Sequence, residues 1–286
     1  ETLCRLAAHN FPLLGLDHIQ VHHADALEYL QEMEPVDCLF LDPARRDSHG
    51  GKTVAITECE PDVCALESLL VEKGRKVMVK LSPMLDMASA LRDLKYIREL
   101  HVIAVNNECK ELTAVLYQMN SVNESSEKEI VISCEQAVHN SLSEPFTYTL
   151  SEEKNAVCQL ADRVETYLYE PGAALLKAGP YRLLSQRYGV KKLHPNSHLY
   201  TSSVQVDFPG RCFQVTGISG FGKKEVKELL GGLEKANLTV RNFPASVADL
   251  RKKLKLKEGG DVYLFATTLQ NGEKVLIKCL KPALLS

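Results

Sequence analysis

The sequence predicts an α/β protein, with a mainly parallel sheet first and a smaller α+β layer after it. Three observations carry this. In the first half, short apolar runs alternate with segments of helical spacing. Two of the runs, residues 36–41 and 76–81, end in an X-Pro pair, Asp42-Pro43 and Ser82-Pro83. Proline gives no N–H to a ladder and biases the preceding residue to extended backbone, so the chain must leave the sheet at both places. In the last third the patterns follow in the order strand, helix, strand, helix, strand, strand.

Each element has its own warrant. Residues 1–14 read as a helix, with Leu3, Leu6, Ala7 and Phe11 near helical spacing, Pro12 at its end and Gly15 for the turn out. A strand is expected at 19–22, an acidic turn at Ala24-Asp25-Ala26, a helix at 27–33 stopped by Pro35, and a buried strand at 36–41. A helix at 61–72, closed by Gly74, leads to the strand at 76–81. A helix at 87–94 and strands at 99–105 and 112–119 follow, the strands joined by a polar turn whose Asn106-Asn107 suits positive φ. Residues 121–129 read as an exposed loop, and 130–132 and 146–149 as strands. An amphipathic helix is expected at 157–169, ended by Glu170-Pro171-Gly172, then a short helical region at 173–188 leading to Lys191-Lys192. The last elements are a strand at 212–218, a helix at 223–233, a strand at 238–241, a helix capped by Ser246 and running to 254, and strands at 261–268 and 274–280. Asn271-Gly272 between the final two is a hairpin signal.

Composition sets outer bounds. At 286 residues, 45% hydrophobic and 25% charged, the chain is an ordinary globular sequence that can bury a sizeable core. No apolar run approaches the roughly 18 residues of a membrane span, and the N-terminus reads as a helix rather than a signal peptide. Nine cysteines without a C-x-x-C pair argue against a disulfide framework and a zinc ribbon, and make the reducing cytoplasm the simplest setting. The net charge of −3 hides an asymmetry: residues 1–150 hold 13 Lys+Arg and 24 Asp+Glu, residues 151–286 hold 21 and 13. A basic second half is the footprint expected of a polyanion-binding module, or else a set of solvated helix faces.

In an open α/β sheet, ligands bind beyond the carboxyl ends of strands. Asp42, Pro43, Arg45 and Arg46 stand at such an end, and Lys80 and Ser82 at the next. Arg45 and Arg46 could equally form a solvated or salt-bridged pair. Asp25 could bind a ligand, cap the helix after it, or do both. Gly50-Gly51-Lys52-Thr53 fails the phosphate-loop spacing because position 46 is Arg. His22-His23 is no metal site, since neighbours on a strand point to opposite faces. Asn107, Glu108 and Lys110 form either a second functional turn or a satisfied polar one. Arg251, Lys252 and Lys253 sit at a helix end, where they could contact RNA or simply be solvated.

Ala24-Asp25-Ala26, Leu41-Asp42-Pro43-Ala44-Arg45 and Lys80-Leu81-Ser82-Pro83, each after a strand, resemble the later part of a class I S-adenosylmethionine-dependent methyltransferase. The whole chain resembles a bacterial group of such enzymes with ferredoxin-like and THUMP-like domains at the C-terminus. Tyr169-Glu170-Pro171-Gly172-Ala173-Ala174 and Val240-Arg241-Asn242-Phe243-Pro244 look characteristic of it. The implied architecture is a partial Rossmann-like sheet (1–145), a ferredoxin-like domain (146–208) and a THUMP-like domain (209–286). The implied cofactor is S-adenosylmethionine, held by Asp25 and Ala26 at the adenine and by Asp42 near the methyl. Asp42, Pro43 and Arg45 are the implied catalytic turn; Arg46, Lys80, Ser82, Arg251, Lys252 and Lys253 are implied substrate contacts. THUMP domains are associated with RNA, so the implied partner is tRNA or rRNA, with neither membrane nor metal.

One departure from that family matters most. The first strand and glycine-rich turn that hold the methionine end of the cofactor have no counterpart here, so the expectation is a fragment with half a cofactor site. The place of the aromatic residue that closes this turn in adenine-amino methyltransferases is taken by Arg45, which leaves the target atom open. Leu81-Ser82-Pro83-Met84 lacks the cysteine that a covalent uridine-C5 mechanism needs. Two functions are carried forward: an RNA methyltransferase, and a non-catalytic RNA- or protein-binding module on an inactive methyltransferase-like scaffold.

Overall fold

The computed structural model describes residues 1–45, 56–118, 129–138 and 141–283. Arg46, the 50–53 segment and residues 121–128 of the loop expected at 121–129 lie outside them. The chain divides into two compact units, residues 1–98 with 114–126, and residues 99–113 with 127–286.

The first unit opens with helix α1 (Thr2–Leu13). Gly15, at φ 72°, closes it with Gly15 N–H on the Pro12 carbonyl and Leu16 N–H on that of Phe11. That is a left-handed exit a side chain would disfavour. The expected strand at 19–22 is not formed; this segment runs as irregular chain. A strand exists only through its ladder, and none of the described strands pairs with this segment, where Ile19 remains 40% exposed. Helix α2 (Ala26–Glu32) follows, with Leu30 buried, then strand β1 (Val36–Leu41). Strand β2 (Ala44–Arg45) pairs antiparallel with β3 (Cys59–Glu60). Helix α3 (Val63–Lys73) is capped by the Asp62 side chain, which accepts from the N–H groups of Cys64 and Ala65. Its buried Glu67 accepts from the backbone N–H groups of Lys95 and Tyr96, so this inward carboxylate is satisfied. Strand β4 (Gly74–Leu81) lies parallel to β1, with Phe40 opposite Met78 and Leu41 opposite Val79. Helix α4 (Met87–Asp93) then buries Met87 and Ala90.

Strands β5 (Ile97–Val105) and β6 (Glu108–Leu116) form a hairpin, most of it in the second unit. Its turn residues Asn106 and Asn107 have φ 50° and 61°, the positive values expected of them. Strand β7 (Val131–Val138) is parallel to β5; β8 (Ser141–Leu142) and β9 (Phe146–Thr149) pair antiparallel with β7. Helix α5 (Leu150–Asn155) starts on a capping box between Thr149 and Glu152.

The expected helix at 157–169 is replaced by irregular chain and then strand β10 (Tyr167–Pro171). Val157 is 68% exposed and Leu160 39%, so no apolar face forms. Tyr167-Leu168-Tyr169 is instead hydrogen-bonded on both sides, and central-strand pairing overrides a weak helical periodicity. Helices α6 (Ala173–Ala178) and α7 (Tyr181–Tyr188) realise the helical region expected there, each ended by a left-handed glycine. Strands β11 (Lys191–Lys192) and β12 (Tyr200–Ser202) follow. Then come β13 (Gly210–Ser219), α8 (Lys223–Leu230), β14 (Asn237–Arg241), α9 (Val247–Leu254), β15 (Val262–Thr268) and β16 (Lys274–Leu280).

This second sheet has the order β11-β12-β10-β13-β16-β15-β14, so its strands come from both sides of residue 209. Residues alternate between its faces. Phe213, Phe265, Ile277 and Cys279 join one core with Leu168, Leu193 and Leu199. Leu264, Ala266 and Leu276 join the other with Leu238 and Leu250, beneath partly buried Leu229 and Leu230 of α8.

Candidate functional site

The geometry of the first unit starts from the ends of β1 and β4. Because the two strands are parallel and in register, Asp42 and the Lys80–Ser82 stretch emerge on one rim. Lys80 Nζ donates to Asp42 Oδ2 at 2.7 Å. With the side chains 57% and 38% exposed, this pair contributes only about 0–1 kcal/mol. It orients the carboxylate without burying it, and Asp42 Oδ1 has no hydrogen bond among the described residues. Pro43 follows, then Ala44 and Arg45 in the two-residue β2. The backbone of Arg45 is therefore fixed by pairing with Cys59.

Asp25 does cap α2: its Oδ1 accepts from the N–H groups of Leu27 at 2.8 Å and Glu28 at 3.2 Å. Both bonds use one oxygen, so Oδ2 is open to a further donor among the described residues. Ala26 is the first helical residue, immediately beside it. Ser82 is engaged locally: its Oγ accepts from the N–H of Met84 at 3.1 Å, and its carbonyl from that of Leu85 at 3.0 Å. It shapes the turn after β4, leaving Met84 60% exposed.

Arg251, Lys252 and Lys253 form the last turn of α9, in the second unit. Arg251 Nη1 donates to the Ala236 carbonyl at 3.4 Å and Lys253 Nζ lies 5.9 Å from the Phe221 ring centre. Both are partly committed to holding the helix end, and Lys252 is exposed. The structure thus brings together Asp42 and Lys80, while Asp25 and Ser82 each bond within their own turns. Asn107 has a structural role, its Oδ1 accepting from the Ala173 N–H at 2.9 Å, and Lys110 pairs with Glu108 at 2.7 Å. His22 lies 5.2 Å from the Tyr29 ring, in irregular chain rather than on a strand.

None of the nine cysteines forms a disulfide. Burial pushes the thiols of Cys134 and Cys279 up to about 12, and that of Cys64 to about 11. They are therefore protonated at neutral pH, as fits small apolar side chains rather than nucleophiles. One cluster was legible only as text: Glu170, Arg211 and Arg241 meet in the second unit.

A Rossmann-like α/β arrangement with X-Pro turns at the ends of β1 and β4 points to a methyltransferase-type protein. The comparisons agree. A family model for a ferredoxin-like domain matches residues 167–209, and one described as THUMP domain-like matches 210–281. The crystal structure of a candidate methyltransferase from Porphyromonas gingivalis W83 is 35% identical to this chain, with a TM-score of 0.87, covering 98% of this chain and 69% of that one. Among proteins of curated function none matches. The chain belongs to the methyltransferase family whose members carry ferredoxin-like and THUMP-like domains at their C-terminal end.

Proposed function

We propose that this protein is an S-adenosylmethionine-dependent methyltransferase acting on a base in structured RNA, tRNA or rRNA. The observation that carries the reading is the exposed Asp42 carboxylate at the end of β1, oriented by Lys80 from the parallel neighbour β4. When bound, S-adenosylmethionine supplies an electrophilic methyl group on a sulfonium sulfur.

This chain's residues fit two parts of that chemistry. Asp25 keeps one carboxylate oxygen open while the other caps α2, which suits the exocyclic amino group of an adenine, with Ala26 N–H beside it. Asp42 Oδ1 and the Pro43 carbonyl can accept the hydrogens of an attacking amine and align its lone pair. As the new N–C bond forms, positive charge develops on that nitrogen, and the adjacent carboxylate stabilises it and can receive its proton. Lys80 holds Asp42 in place. Arg45, with Arg46, would meet a base or phosphate on the substrate side, alongside Ser82. The basic second half, Arg251, Lys252 and Lys253 included, would add affinity for RNA.

No helix among the described residues is long and apolar enough to cross a membrane. Nine cysteines without a disulfide fit a reducing cytoplasm. The test is mass spectrometry of nucleosides from total RNA of cells with the gene, without it, and with its Asp42→Ala version. One methylated nucleoside should vanish in the last two. An unchanged nucleoside profile with RNA binding intact would instead make the protein a binding module on a methyltransferase scaffold.

A further inference from the structure

Two stretches with no part in the proposed methyl transfer, 169–174 and 240–244, are brought together by the fold. Glu170, on central strand β10, has a side chain only 2% exposed between two guanidiniums. Arg241 donates Nε and Nη2 to Oε1 at 3.0 and 2.9 Å. Arg211 donates Nε to Oε2 at 2.9 Å, and Nη2 to the same oxygen. Strands β10 and β14 are four steps apart in the sheet order, which in a flat sheet would be about 19 Å. That is further than one side chain spans, so the sheet curls at this end and carries Arg241 to Glu170.

One guanidinium would neutralise the carboxylate; the second leaves the cluster with a net positive charge. Arginine has five N–H groups, and each of these two spends only its Nε–Nη2 edge on Glu170. The Nη1 groups make no hydrogen bond among the described residues, and the side chains are 42% and 35% exposed for Arg211 and Arg241. Here the anion alone is buried, and it fixes the planes of two forks that remain open to solvent.

The charges acting around it are Lys192 and Arg241, opposed by Glu153. Lys192 is buried with Nζ 4.9 Å from the Tyr181 ring centre, and the His198 ring stacks on the same tyrosine at 3.7 Å between centroids. Burial first, then the charges of Lys192 and Arg241, push the His198 imidazole down to about 4. Beside Arg241, Asn242 at φ 51° places its amide nitrogen 3.0 Å from His194 Nδ1.

We propose that the Arg211–Glu170–Arg241 clamp binds phosphate of the RNA backbone, with Glu170 as the positioning residue that sets both guanidinium forks. Planar, pre-oriented forks match a phosphate group bidentately. This assignment rests on the RNA reading above. It also accounts for the joint presence of the two stretches: one supplies the buried carboxylate, the other a fork.

The test is filter retention of unfractionated tRNA and rRNA by the full chain at a series of salt concentrations. Wild type is compared with Arg241→Gln, Arg211→Gln, Arg241→Lys, and Arg163→Gln, which removes one exposed charge elsewhere in the same unit. Each clamp Gln variant should bind about tenfold more weakly and lower the slope of log K against log salt by about one. Arg241→Lys, which keeps the charge beside Glu170 and hence the fold, should keep the slope but lose several-fold in affinity. Arg163→Gln should leave both unchanged. Wild-type retention that none of the clamp variants alters would overturn the assignment alone. Failure of wild type to retain RNA at any salt would overturn the RNA reading and this assignment with it.

Discussion

Acid should weaken the second unit through His198. Its ring stacks on Tyr181 at 3.7 Å and 18°, and Nδ1 is buried without a hydrogen-bond partner. Burial and the charges of Lys192 and Arg241 hold the folded imidazole at about 4, against 6.5 for the free side chain. The folded value lies below the unfolded one, so neutral His198 contributes its full stability above pH 6.5. That contribution falls as the unfolded chain gains a proton first, and is lost by about pH 4. Two and a half units correspond to at most about 3 kcal/mol, and to about 2 kcal/mol at pH 4.5 for a ring that is not fully buried. The perturbation is His198→Asn, since φ at this residue is 53° and asparagine tolerates that region. Urea midpoints would be compared at pH 7.5 and 4.5. Hydrogen exchange in peptides covering residues 191–202 would assign the change to this unit, since the two units need not unfold together. Carboxylates titrate alike in both proteins, so the difference isolates the histidine. Wild type should lose about 2 kcal/mol more than the variant on acidification. Parallel losses would refute the reasoning.

Asp42→Ala should abolish methyl incorporation while leaving RNA retention intact, and Lys80→Met should reduce turnover less severely, since Lys80 acts on the reaction by orienting the carboxylate; both are read by nucleoside mass spectrometry. Gly210→Ala should destabilise the second unit by about 3 kcal/mol or more in urea unfolding, because a Cβ there would lie 2.2 Å from the Glu170 carbonyl oxygen and 2.8 Å from Gly172 N. Asp25→Ala should cost about 1 kcal/mol through its lost cap, detectable as faster exchange in α2. Cys134 and Cys279 should resist iodoacetamide at pH 7 until the chain is unfolded, whereas the exposed Cys38 should be alkylated in the native protein, as followed by peptide mass spectrometry.

The sequence alone determined those elements whose signals are local. The Asn106-Asn107 turn, the Ser246 cap, the strand at 36–41 and the closing strand-helix-strand-helix-strand-strand order all depend on residues within a few positions of each other. It also located the rim of the candidate site, because Asp42-Pro43 and Ser82-Pro83 mark where two strands must end. Residues 157–169 went wrong for the opposite reason. A loose helical spacing there yielded to β10, whose two ladders run to partners more than thirty residues away, such as Leu168 with Thr201 and with Phe213. The strand expected at 19–22 failed for want of any such partner among the described strands. Only the tertiary structure showed that Lys80 serves Asp42, since a cross-strand pair depends on register. Only the curl of the second sheet joined Glu170 to Arg241, 71 residues apart. The stretches around Glu170 and Arg241 were visible as words in the sequence; that they form one buried carboxylate between two open guanidiniums is a property of packing, which no local pattern encodes.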